Sequence, residues 1–120
     1  MKNKTLVLGA SENTSRYSNM AVKKLLSKGQ DVIAIGKQKG NIAGVDILTE
    51  RPDTDDVDTV TLYLNPMHQQ PYYDYILSLN PRRIIFNPGT ENGELEQLAE
   101  QRGIEAIEAC TLVMLSTGQY

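Results

Sequence analysis

The sequence predicts an α/β domain, an open parallel sheet of about five strands held between two layers of helices. Three observations carry this. Short apolar runs such as Leu6-Val7-Leu8 and Val32-Ile33-Ala34-Ile35 are almost unbroken, as suits strands covered on both faces. They alternate with stretches of helical period, the order that builds a parallel sheet through right-handed crossovers. The first apolar run ends in Gly9-Ala10-Ser11 and passes through polar residues into a helix, the layout of a helix N-terminus turned toward an anion. With 120 residues, 40% of them hydrophobic and 22% charged, the chain is expected to form one domain, residues 1–120.

Each element follows in order. Ser15 or Ser18 is placed to cap a helix through about Lys28, with Tyr17, Ala21, Val22, Leu25 and Leu26 as its buried stripe. Gly29 stops it, since glycine accepts the left-handed conformation after a helix. Asp31 to Gly36 reads as the second strand, Lys37 to Gly44 as a polar loop and Val45 to Leu48 as a short third strand. No full crossover helix fits between Gly36 and Val45, so that crossover is expected to be reduced. An acidic connection with Pro52 leads to a fourth strand, Thr59 to Leu64. Asn65-Pro66 then opens a helix as N-cap and first helical residue. It is expected to run to about Leu79, turning Tyr72, Tyr73, Ile76, Leu77 and Leu79 to the sheet, and Asn80-Pro81 ends it. Arg83 to Phe86 is a further strand. A helix from about Asn92 to Arg102 presents Leu95, Leu98 and Ala99, and Ile104 to Ala109 is a final strand before a tail that is apolar from Thr111 to Leu115.

The expected strand order is 3-2-1-4-5, a Rossmann-like arrangement with its topological switch point between strands 1 and 4. Ligands of open α/β sheets sit there, outside the carboxyl ends of the strands. Those ends carry Gly9-Ala10-Ser11, Gly36-Lys37, Asn65-Pro66, Asn87-Pro88-Gly89 and Cys110-Thr111. A dinucleotide fingerprint would place glycines at positions 11 and 14, where this chain has Ser11 and Thr14. Plain NAD also favours an acid at the end of strand 2, where this chain has Lys37 followed by Lys39. Arg16, early in the first helix, is a forked phosphate donor. Together these point to a nucleotide with extra phosphate; an isolated basic residue reads first as a solvated surface charge, and the placement of Arg16 and Lys37 at converging strand ends brings the two readings nearly level.

Bulk properties narrow the partners. A net charge of -3 argues against sequence-independent nucleic-acid binding, and no apolar run approaches the ~20 residues of a membrane helix. One cysteine excludes an intrachain disulfide framework and any multi-cysteine zinc site. No N-terminal signal pattern is read, so a cytoplasmic domain without membrane attachment is expected.

The segments Gly9 to Ser18, Gly36-Lys37, Tyr63 to Pro66, Phe86 to Asn92 and Ala109 to Leu115 closely resemble the small stand-alone bacterial CoA-binding domain family, over essentially the whole chain. That family is similar to the N-terminal CoA-binding domain of the succinyl-CoA synthetase α subunit. The resemblance implies a domain that holds the 3′-phospho-ADP part of CoA across the switch point. By position, Gly9, Ala10, Ser11, Asn13, Arg16, Tyr17 and Ser18 would hold phosphates, and Gly36 and Lys37 would lie near the adenosine. Asn65, Pro66, Asn87, Pro88 and Gly89 would line the groove toward the pantetheine arm, with Cys110 close by. Family members often carry proline where this chain has Thr14. The phosphorylated histidine of the synthetases lies in a further domain.

The remaining reactive residues have bland readings. His68, the only histidine, is an exposed helix residue with no predicted partner for base catalysis. Cys110 reads as a small buried hydrophobe or, alternatively, as a thiol able to form a mixed disulfide with CoA. Helical spacing makes at least one of Tyr72, Tyr73 and Tyr75 a core residue with a polar tip, and a base-stacking platform is the lesser reading of the cluster. Glu91 and Glu94 suit the positive end of the last predicted helix, and no metal-ligand spacing occurs. The expectation is therefore a non-catalytic CoA or acyl-CoA binding module, serving as a carrier, a sensor or a subunit beside a protein partner. An NAD(P)-dependent redox enzyme or sensor on the same fold, and an interaction domain without ligand, are the alternatives.

Overall fold

The computed structural model describes residues 4–120. Residues 1–3, where part of the N-terminal signal reading falls, lie outside it. A seven-stranded sheet runs β3-β4-β2-β1-β5-β6-β7. Its strands are β1 (Lys4–Leu8), β2 (Asp31–Ile35), β3 (Gly40–Ile42), β4 (Val45–Leu48), β5 (Val57–Leu62), β6 (Arg83–Phe86) and β7 (Glu105–Glu108). All pairings are parallel except β3 with β4. The helices are α1 (Tyr17–Ser27), α2 (Pro66–Gln69), α3 (Tyr73–Ser78), α4 (Gly93–Gln101) and α5 (Thr111–Thr117). The expected order 3-2-1-4-5 is the inner part of this sheet, and one strand is added at each edge.

Alternation along the central strands builds two cores. Leu6 and Leu8 of β1 point to one face, where Ile76 and Leu77 of α3 and Leu95 and Ala99 of α4 close over them. Val7 points to the other face, against Val22 and Leu25 of α1 and Leu115 of α5. Side chains of successive strand residues must leave opposite faces, so one apolar run serves both layers. Each fully buried leucine contributes about 1.5–3 kcal/mol through removal of apolar surface from water.

The sequence reading is corrected in four places. The first is Lys37 to Gly44, which is not all loop. Ala43 and Gly44 both take positive φ, 49° and 92°, in a two-residue turn that pairs Ile42 with Val45 and makes β3 and β4 a hairpin. The reduced crossover is this hairpin. Second, the stretch after Asn65 is two short helices, because Pro71 cannot donate to the ladder and sits in a 3₁₀ turn, Gln70–Tyr72, between them. Asn65 nevertheless caps α2 as expected, accepting from the His68 N–H at 3.1 Å. Third, α1 is flanked by Arg16 rather than capped by Ser15 or Ser18. Tyr17 leaves the buried stripe for solvent, at 70% exposure, and Ser18 and Asn19 are buried instead. Fourth, the tail forms α5, which closes on the left-handed Gly118. Among the described residues no helix is long and apolar enough to cross a membrane.

Candidate functional site

A groove of about 940 Å³ opens at the carboxyl ends of β1, β2 and β5, over the switch point between β1 and β5. Its volume lies at the upper end of the range for small-molecule sites. One wall is the turn after β1 with the start of α1, and the segment Lys37 to Lys39 stands beside it. The opposite wall comes from Tyr63, Leu64, Asn65 and His68, with Pro88, Gly89 and Thr90.

The first wall is tied by its own polar groups. Gly9, at φ 101°, and Ala10 both donate their N–H to the Ile35 carbonyl, at 2.8 and 2.9 Å. Ser11 Oγ accepts from the Asn13 N–H, and Asn13 Oδ1 accepts from both the N–H and the hydroxyl of Ser15. Asn19, on the buried face of α1, holds the Ser11 carbonyl through Nδ2 at 2.9 Å. No side chain caps α1 and its first turn carries no acid. Its opening residues, Tyr17 and Ser18, line the groove. The early N–H groups of a helix have no intrahelical acceptors and carry the positive end of its dipole.

Charge in the groove is mostly positive. Arg16, Lys37 and Lys39 line it, and among the described residues the one ion pair, Arg82 with Asp58 at 2.9 Å, lies elsewhere. The opposing charge is Glu12, whose Oε2 accepts the backbone N–H of Asn41 at 2.8 Å.

The second wall is braced from beneath. Gln69, fully buried, donates through Nε2 to the carbonyls of Leu64 and Thr90, both at 2.8 Å, and its Oε1 accepts from Asn92. One amide thus fixes two segments of wall. Below the floor, Asn87 Nδ2 donates to Thr61 Oγ1 and the Leu62 carbonyl, and its Oδ1 accepts the Thr111 N–H at 2.8 Å.

Tyr63 bridges floor and groove. Its hydroxyl is buried without a hydrogen bond, and the nearby Thr61 and Thr111 hydroxyls bond each other at 2.8 Å. Burial pushes the phenol up to about 12, and those two hydroxyls oppose the shift only in part. Because this value lies above the ordinary 10.0, the neutral phenol's contribution to stability is whole below pH 10 and is lost as pH rises toward 12. An absorbance titration is expected to show a tyrosinate transition near 12 that vanishes in Tyr63→Phe, and that variant keeps more of its stability than the parent above pH 10. A titration unchanged by the substitution would refute this.

Of the residues predicted from sequence, the groove gathers Gly9, Ala10, Ser11, Asn13, Arg16, Tyr17, Ser18, Lys37, Asn65, Pro88 and Gly89. Four are placed elsewhere. Gly36 is buried one residue before Lys37, its N–H on the Leu48 carbonyl at 2.9 Å. Pro66 starts α2 outside the lining, Asn87 lies under the floor with both ends of its amide engaged, and Cys110 is half-buried in the position preceding α5. Sequence reasoning did not single out Glu12, Gln38, Thr90 or the buried brace Gln69. Glu12 and Thr90 sat inside motifs already quoted, but nothing in the sequence marks the long-range partner of a glutamate or a glutamine.

A doubly wound sheet with a groove at its switch point defines a protein of the Rossmann-like class. Residues 3–116 match the CoA binding domain family, and the chain belongs to that family. Among solved structures it is similar to an uncharacterized protein at 52% identity and TM-score 0.96, covering 100% of this chain and 99% of the other. A protein from Thermus thermophilus shares the fold at TM-score 0.83 and 18% identity, covering 99% and 91%. A conserved hypothetical protein from Pyrococcus furiosus does so at TM-score 0.80 and 27% identity, covering 92% and 97%. None of the curated proteins matches the chain.

Proposed function

We propose that this domain is a CoA or acyl-CoA binding module that holds the 3′-phospho-ADP part of the ligand in the switch-point groove and has no complete catalytic apparatus of its own. The carrying observation is the uncapped N-terminus of α1 facing a groove edged by Arg16, Lys37 and Lys39. Helix N–H groups and an arginine fork suit a pyrophosphate. Lysines at the end of β2 suit a phosphorylated ribose, where plain NAD would favour an acid. Membership of the CoA binding domain family supports the same ligand class. On this reading Asn65, Pro88 and Gly89 line the path of the pantetheine arm, and the domain serves as a carrier, sensor or subunit.

The test is calorimetric titration with CoA, dephospho-CoA, NAD and NADP at one salt concentration. CoA is expected to bind most tightly. Lys37→Ala is expected to weaken CoA about tenfold and dephospho-CoA little, the size of one charge-assisted phosphate contact. Equal loss for both ligands would remove Lys37 from the 3′-phosphate. Preference for NADP over CoA would turn the reading to redox chemistry.

A further inference from the structure

We propose that Glu12 is a latch that fixes the Lys37–Lys39 segment against the first turn, and so sets the preference for a ligand bearing the extra phosphate. The inference rests on the CoA reading above and concerns how the same groove selects its ligand. The segment spans three residues between two anchors. At its near end Gly36 donates to the Leu48 carbonyl at 2.9 Å. At its far end it enters the hairpin, in which Gly40 pairs with Ile47 and Asn41 with Asp46.

In this hairpin the two-residue loop makes Ile42 and Val45 a hydrogen-bonded pair, which turns the N–H of the next residue, Asn41, away from the ladder. An edge donor of this kind is open to water or to an acceptor from another segment. Glu12, in the adjoining turn after β1, supplies that acceptor at 2.8 Å. Independently, the chain makes room for that side chain. A Cβ on Gly40 would stand 2.5 Å from Glu12 Cγ and 2.4 Å from Cδ. Gly40 is absent from the glycines with positive φ, so the residue is small here to admit Glu12 rather than to permit an unusual backbone. An acid in a phosphate groove is otherwise unfavourable by simple Coulomb repulsion, which sets the two roles of Glu12 in opposition.

That opposition makes the test sharp. The parent and the variants Glu12→Gln, Glu12→Ala and Gly40→Ala are titrated with CoA and with dephospho-CoA, and the ratio of the two dissociation constants is compared. Glu12→Gln keeps an acceptor oxygen and sheds the charge, so its preference for CoA is expected to equal or exceed the parent's. Glu12→Ala and Gly40→Ala are expected to lower that preference about fivefold to tenfold, the scale of one charge-assisted hydrogen bond. If Glu12→Ala instead raises the preference as Glu12→Gln does, Glu12 acts only as a repelling charge and the latch is overturned. Hydrogen exchange of the Asn41 amide is a readout without ligand. It is expected to quicken in Glu12→Ala and Gly40→Ala and hold in Glu12→Gln, and unchanged exchange in both alanine variants also overturns the latch. Failure of the parent to bind CoA, with the exchange pattern as expected, would fell the CoA reading and the selectivity role while leaving the contact itself established.

Discussion

Gly36→Ala is expected to destabilise the fold by about 3 kcal/mol, the upper end of what overpacking costs. The added Cβ would stand 2.3 Å from the Ala10 carbonyl oxygen and 2.9 Å from Ile47 Cγ2. The oxygen has no easy retreat, because the Ala10 N–H is tied to the Ile35 carbonyl at 2.9 Å and Ala10 is itself buried. Relief therefore requires the turn after β1 to part from the end of β2, which also moves the groove wall. Urea denaturation is the measurement, with a lowered midpoint at unchanged slope as the expected outcome. Gly93→Ala is the control. Its Cβ meets nothing within 4 Å and the backbone is not left-handed, so it is expected to be neutral. Equal midpoints for the two variants would show that the turn yields.

Asn87→Ala is expected to cost about 4 kcal/mol, because it strands several buried groups at once and each costs ~1–3 kcal/mol. The Leu62 carbonyl loses a side-chain donor and the Thr111 N–H loses its acceptor, while Thr61 Oγ1 retains only Thr111 Oγ1. Asn87→Asp separates polarity from shape. It keeps an acceptor for Thr111 but sets a carboxylate oxygen against the Leu62 carbonyl in a buried position. Burial raises such a carboxyl's pKa, so the aspartate variant is expected to lose stability as pH rises from 5 to 8, relative to the parent. A flat difference over that range would mean that water reaches the site.

The inner strands and the start of α4 were legible because their signals are local. Apolar runs such as Arg83 to Phe86 fix a buried strand, and Asn65-Pro66 marks a helix start wherever it falls. The hairpin was missed because Ala43-Gly44 is not a strong turn dipeptide, and only β3 pairing reveals that Ala43 accepts positive φ. Tyr17 was assigned to the core by spacing alone. Asn19 took an inward place because its amide holds the Ser11 carbonyl, a constraint that periodicity cannot carry. Much of the groove was foreseeable from the rule that strand ends converge at the switch point. Its bracing was not, since Gln69 and Asn87 act between segments about twenty residues or more apart.

The strand order also divides the chain in time. The flank β3-β4-β2-β1 is built entirely from residues up to Leu48, and β5-β6-β7 entirely from Val57 onward. Until β5 docks, β1 presents one open hydrogen-bonding edge, the kind of edge on which chains aggregate. Non-local parallel pairing is the slow class of folding event, so this docking is the step at which a nascent chain is most exposed. The groove lies on the seam, one wall from each half. A molecule spanning both walls binds only after the halves have joined, and favours the joined state by mass action in proportion to its concentration over its dissociation constant. On the proposed CoA reading, the concentration of that ligand enters the stability of the joined state itself.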